Sequence, residues 1–206
     1  MKGTAPTLVR QATGRRRPLL ALAALLLALL LPAAPPAAAQ EPSLTVESAR
    51  LHLSTDGEPG LKLDADFALT LPAVLEDAVN RGIALYFTVD LEVYRERWYW
   101  FDRRAVEASL TYRLTYSPLT RQYRLARGAF ALPFDDLDEA IATMTRVRNW
   151  KVAEPGALAA GADYRARTRM RLDTSLLPKP FQIDALTNRD WTLAADWRAV
   201  PLPVER

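Results

Sequence analysis

His52 is the only imidazole in the chain and cysteine is absent, so the side chains that most often carry catalysis are nearly missing. Thiolate nucleophiles, disulfide scaffolds, thiolate zinc sites and multi-histidine metal sites are excluded by those two counts. His52 sits between Leu51 and Leu53 in an alternating segment, and no G-x-S-x-G, P-loop or G-x-G-x-x-G pattern occurs. A hydrogen-bonded strand histidine is expected there. The pairs Asp64/Asp66 and Asp90/Glu92 are spaced i, i+2, on the polar faces of strands, and a glycosidase-like role would need a cleft that brings them together. Asp135, Asp136, Asp138 and Glu139 resemble a calcium loop only in charge: no glycine stands at the turn position and no further oxygen ligands follow at intervals. They are expected at a helix N-terminus, where capping and the dipole favour acids. Ser175, Lys179 and Asp184 fall in one loop-like stretch, with a Ser–Lys pair depending on geometry. No catalytic residue, metal or cofactor is expected.

Two surface features point to contact instead. Arg165, Arg167, Arg169 and Arg171 share one face of a strand, with Tyr164, Ala166, Thr168, Met170 and Leu172 on the other. Four guanidiniums in such a row repel one another unless they are hydrated, paired or bound. Cross-strand acids such as Asp90 and Glu92 would neutralise them; otherwise the ladder fits an acidic partner, phosphate or lipid head groups. The second feature is Arg97-Trp98-Tyr99-Trp100-Phe101, followed by Arg103 and Arg104. Continuing the preceding strand places Trp98 and Trp100 on its polar face, where they would be interface anchors, unless a bulge or covering segment buries them.

The elements that must position these residues are mostly strands. Leu61, Leu63, Ala65, Phe67 and Leu69 alternate with polar neighbours, as do Ile83 to Val93 and Val106 to Tyr116. A turn at Ser117 to Thr120 leads into a strand from Gln122 to Arg127, and further strands are expected at Tyr164 to Asp173 and Trp191 to Val200. The first, Leu44 to Leu53, changes phase near Ser48-Ala49 as a bulge would. Two short helices interrupt them, one opened by Pro72 and stopped by Gly82, the other from about Asp135 to Arg148 with Leu137, Ile141, Met144 and Val147 on one face. Seven or so strands with two short helices predict a mostly β fold, an antiparallel β-sandwich of immunoglobulin-like or transthyretin-like style, with a split barrel as the alternative.

The net charge of +3 hides an uneven distribution. Residues 1–39 take five of the 27 basic residues and none of the 24 acids, leaving 22 against 24 and a charge of −2 on the rest. The electrostatic case for nucleic acid disappears with that division. Arg15-Arg16-Arg17, an apolar run from Leu19 to Leu31 and Ala37-Ala38-Ala39 follow the order of a secretory signal peptide, with cleavage expected before Gln40. Residues 1–39 are therefore read as leader and 40–206 as one domain of a periplasmic protein. An uncleaved leader would instead anchor it to the inner membrane, the one case in which membrane contact is expected. Arg15-Arg16 could also be read as a twin-arginine signal, but Pro18 follows and no cofactor motif appears downstream.

Arg97-Trp98-Tyr99-Trp100-Phe101-Asp102-Arg103, the stretch from Leu110 to Tyr116 through Thr120 to Arg124, the block from Arg169 to Gln182 and Asn188-Arg189-Asp190-Trp191 together resemble the proteobacterial family called domain of unknown function 4390. Its members are sometimes labelled proline-rich signal-peptide proteins. Ala195 stands where the family pattern has a serine before the final Asp-Trp. The resemblance implies no catalytic residue. It does imply a neighbourhood, since such proteins are often encoded beside a membrane sensor histidine kinase of the nitrogen-regulation type. The functional expectation is a non-enzymatic binding or accessory module for an inner-membrane sensor or envelope complex, with the contact surface at Trp98, Trp100, Arg103, Arg104 and Arg165 to Arg171. A carrier of an anionic lipid or small ligand is the alternative, and a carboxylate-dependent hydrolase is more distant.

Overall fold

The computed structural model describes residues 43–95, 103–159 and 162–203. All of them belong to the unit Gln40–Arg206. Among the described residues nine strands form two antiparallel sheets that face each other as a sandwich. The smaller sheet has the order β1-β2-β7, from β1 (Ser43–Ser54), β2 (Gly60–Thr70) and β7 (Arg146–Ala153). The larger has the order β6-β5-β4-β3-β8-β9, from β3 (Leu85–Arg95), β4 (Arg103–Ser117), β5 (Gln122–Arg127), β6 (Phe130–Phe134), β8 (Tyr164–Leu172) and β9 (Arg198–Val200). The sheets stay separate and do not close into a barrel.

Alternation places the core where the sequence puts it. Leu85, Phe87, Val89, Leu91 and Val93 of β3 have no exposed surface, and Leu63, Ala65 and Phe67 of β2 face them from the other sheet. The bulge expected in β1 lies between Val46 and Ser48. It keeps Leu44 and Val46 before it, and Leu51 after it, on the buried side. Gly60 opens β2 with φ at 142°, and a Cβ there would lie 2.4 Å from the Ala153 carbonyl oxygen, so glycine is required by both conformation and contact.

Three α-helices complete the fold among the described residues. α1 (Ala73–Asn80) follows Pro72, buries Leu75, Ala78 and Val79, and crosses from β2 to β3 so as to close one end of the sandwich. α2 (Leu137–Met144) is capped by Asp136, whose carboxylate accepts from the Asp138 and Glu139 backbone N–H groups at 2.7 and 3.3 Å, the role expected of those acids. It is shorter than the Asp135 to Arg148 span expected, because Arg146 already begins β7 and Val147 is a core residue of that strand. α3 (Lys179–Thr187) occupies the stretch read as a loop. The strand expected from Trp191 to Val200 is reduced to β9, although Leu172 N–H donates to the Leu193 carbonyl at 2.7 Å and Ala195 N–H to that of Met170 at 2.8 Å. That segment thus runs beside β8 with Trp191, Leu193 and Ala195 turned inward before the phase changes.

Candidate functional site

The arginine ladder and its neighbours lie on the outer face of the larger sheet, fixed by the pairing of β3 with β8. Register sets Thr88 opposite Arg171, Asp90 opposite Arg169, Glu92 opposite Arg167 and Tyr94 opposite Arg165. The side chains follow that register. Arg167 donates through Nε and Nη2 to Glu92 Oε2 at 2.8 and 2.6 Å. Arg171 and Arg169 donate through Nε to Asp90 Oδ2 at 2.9 and 3.3 Å, while the Ser109 hydroxyl donates to Asp90 Oδ1 at 2.9 Å. Arg171 also reaches Asp173 at 2.9 Å. Burial works against the charge on Asp173, but the Ser175 hydroxyl and the Arg171 guanidinium hold its carboxyl below the ordinary value. Arg104 pairs with Glu107 at 2.8 Å, within 4.0 Å of Glu92, and that pairing raises the already high basicity of its guanidinium.

The ladder is therefore a layer of charge-assisted pairs rather than a bare cationic strip. Arg104, Arg167, Arg169 and Arg171 each pair with a carboxylate among Asp90, Glu92, Glu107 and Asp173. Of the two outcomes open to the ladder, cross-strand neutralisation is the one observed.

Trp197 lies against this layer. The Arg167 and Arg169 guanidinium carbons stand 4.5 and 4.3 Å from its ring centroid, and Arg167 also stands 5.5 Å from that of Tyr94. Ion pairs hold the guanidiniums in plane while the indole stacks on them, so the aromatic ring is fixed in orientation and remains only half-buried. Beside it an open cleft of about 450 Å³ is lined by Tyr94, Tyr164, Arg165, Arg167, Trp197 and Leu202 among others. Trp197 was not among the residues singled out by sequence. Its position is odd like those of the inward-facing Trp191, Leu193 and Ala195, and only the phase change before β9 turns it outward.

Trp98 and Trp100 lie outside the described residues, as does the Arg103 side chain. The described part of β3 ends at Arg95, which pairs with both Arg103 and Tyr164. Arg104 and the Arg165 end of the ladder are at that same end, with Arg169 and Arg171 further along the strand.

The other candidates are dispersed. His52 is on the outer face of the smaller sheet, and the hydrogen bond expected of it is not made: its buried Nδ1 has no partner and stands 3.8 Å from Asp64 Oδ2. That carboxylate is already engaged by Arg50 at 2.9 Å and by the Asn149 backbone N–H at 2.8 Å. Burial opposes its charge, yet the Asn149 and Arg50 bonds and the nearby His52 keep the carboxyl low. Asp66 takes bonds from Arg148 and Ser48. The Ser175 hydroxyl donates to Asp173, and Lys179 opens α3. No group of three or more potential metal ligands occurs among the described residues.

Sandwich and site together define a β-rich module with a rigid arginine–tryptophan face on one sheet. The chain belongs to the family described as domain of unknown function 4390, whose pattern matches residues 41–201. No curated protein and no solved structure matches it.

Proposed function

We propose that this chain is a non-enzymatic binding module of the periplasm, exported by its leader, that docks a protein partner such as an inner-membrane sensor histidine kinase or an envelope complex. The face formed by Trp197, Tyr94, Arg104 and Arg165 to Arg169 is the contact surface, and Trp98, Trp100 and Arg103, which lie outside the described side chains, are proposed as further anchors on sequence alone. The stacking of Trp197 on Arg167 and Arg169 carries this reading. An indole already fixed by two ion-paired guanidiniums loses little freedom on docking, which is the economy seen in aromatic anchors at interface centres.

A carrier of an anionic lipid or small ligand has less support. Its head group would have to compete with carboxylates already seated on the ladder. Phe87, Leu91, Met170 and their neighbours fill the space between the sheets.

Crosslinking in the native periplasm with mass spectrometry tests the proposal, using Trp98→Ala, Trp100→Ala and Trp197→Ala. Removal of a docked anchor should cost more than about 2 kcal/mol of binding with the unfolding midpoint nearly unchanged. A collapse of stability would make the residue core; unchanged stability and unchanged partner recovery would move the surface elsewhere.

A further inference from the structure

The larger sheet ends at β6, and nothing among the described residues pairs with the far side of that strand. Its backbone shows which groups are left over. Gly128, with φ at 59°, and Ala129 form a two-residue loop between Arg127 and Phe130, and such a loop makes its flanking residues a hydrogen-bonded pair. Alternation along the ladder then ties Leu132 to Leu125 and Phe134 to Tyr123, and turns the backbone groups of Ala131 and Pro133 away from β5. Pro133 agrees with that phase, because it has no N–H to give. Within β6 the free edge therefore offers the Ala131 N–H as donor and the Ala131 and Pro133 carbonyls as acceptors.

The side chains along this edge are also left without cover. Phe130 and Leu132 are 79% and 55% exposed, on the side of the sheet where Leu125, the partner of Leu132, is buried. Charge is sorted around them. From Ala108 to Phe134 the chain has Arg113, Arg121, Arg124 and Arg127 and no acid, and Asp135, Asp136, Asp138 and Glu139 follow at once. All of these charged residues are exposed, and none is in an ion pair among the described residues. Arg127 stands at the hairpin end of β6, and Asp135 just past its other end, where it accepts from Gln122 Nε2 at 3.0 Å.

A second copy of the same edge complements each of these features. Antiparallel pairing about a two-fold axis through Ala131 lets the two Ala131 residues exchange both N–H···O=C bonds. The same register sets Phe130 opposite Leu132 of the second copy, and Leu132 opposite its Phe130, as non-hydrogen-bonded pairs whose side chains approach closely. It also brings Asp135 level with the hairpin tip of the second copy, beside Arg127. A slip by one residue sets Ala131 against Leu132, whose backbone groups are already taken by β5.

We propose that two copies of this chain pair edge to edge through β6, antiparallel about Ala131. Both free edges are consumed in the pairing, so it closes as a dimer and does not propagate. The arginine–tryptophan face is near the opposite edge of the larger sheet, on β8 and β9, and stays open in both copies.

The chain has no cysteine, so one introduced at position 131 reports on itself alone. The full chain carrying Ala131→Cys is oxidised and run on a non-reducing gel, with Thr45→Cys on β1, an edge strand of the smaller sheet, as the control. Position 131 should give about tenfold more disulfide dimer than position 45. Arg127→Glu or Asp135→Lys, added to Ala131→Cys, should each lower that yield about fivefold, since every substitution counts twice across a two-fold axis. The two together should restore it. Equal yields from positions 131 and 45, a mixed disulfide with another protein at 131 in place of the dimer, or a yield that ignores both charge reversals overturns the proposal. Light scattering on the unsubstituted full chain in non-ionic detergent is independent of the cysteine: two copies in each particle are expected, and a monomer at about 0.1 mM overturns the proposal as well.

Discussion

The outer face of β3 and β8 and the free edge at β6 handle exposed chemistry in opposite ways. On the sheet, Arg167, Arg169 and Arg171 have carboxylates within hydrogen-bond reach, and the tryptophan above them is held by the same groups. At β6, Phe130 and Leu132 stand mostly in water. A paired polar surface offers a fixed shape, whereas exposed apolar side chains leave hydrophobic area in water.

Both depend on the core behind them, and the largest expected effect comes from breaking that support. Phe87→Ala empties a fully buried site between the sheets and should cost about 3–5 kcal/mol, read as a lowered urea midpoint with parallel loss of both surfaces. Loss of one surface alone would mean that the two are not carried by a common core.

Acid should next loosen the ion pairs of Asp64 and Asp66 on the smaller sheet and of Asp173 beside the larger. Asp64, Asp66 and Asp173 have folded-state carboxyls held below their ordinary value. Their contribution is complete above the unfolded value, about 3.9, and is lost as pH falls through the lower folded values. The melting temperature should therefore drop on acidification below about pH 4. Asp64→Asn should cost about 1–3 kcal/mol at neutral pH and flatten that slope. A melting temperature that rises towards acid would contradict the assignment.

Much of this was legible beforehand, and the failures have physical causes. β3 and β8 announced themselves because a strand with one buried face must alternate, and the same parity put Asp90 and Glu92 opposite the ladder. β7 escaped notice because Asn149, with φ at 50°, breaks the alternation and shifts the register against β2. β6 was hidden by Pro133, which an edge strand tolerates but which reads as a breaker. α3 was missed although Pro178 and Pro180 mark its start, because Ile183 and Leu186 face outward and blur the helical period. Trp197 was lost to the phase change before β9.

A smaller perturbation sharpens the contrast between the two surfaces. Asp90→Asn removes the carboxylate that seats Arg169 and Arg171 and should cost about 1–2 kcal/mol while making the face more cationic, so retention on heparin should increase. Unchanged retention would mean that the ladder is not held neutral by its own sheet. The least effect is expected from His52→Gln, because the imidazole makes no hydrogen bond through Nδ1. Complementation should be intact, and its loss in a folded, abundant variant would reopen a catalytic reading.

Site-specific photo-crosslinking in the periplasm tests the central claim most directly. A photoreactive residue replaces Arg104 or Ala199 on the arginine–tryptophan face, and Lys62 on the outer face of the smaller sheet serves as the control. A partner adduct is expected from positions 104 and 199 and none from 62; an adduct from 62 alone would place the contact surface on the smaller sheet instead.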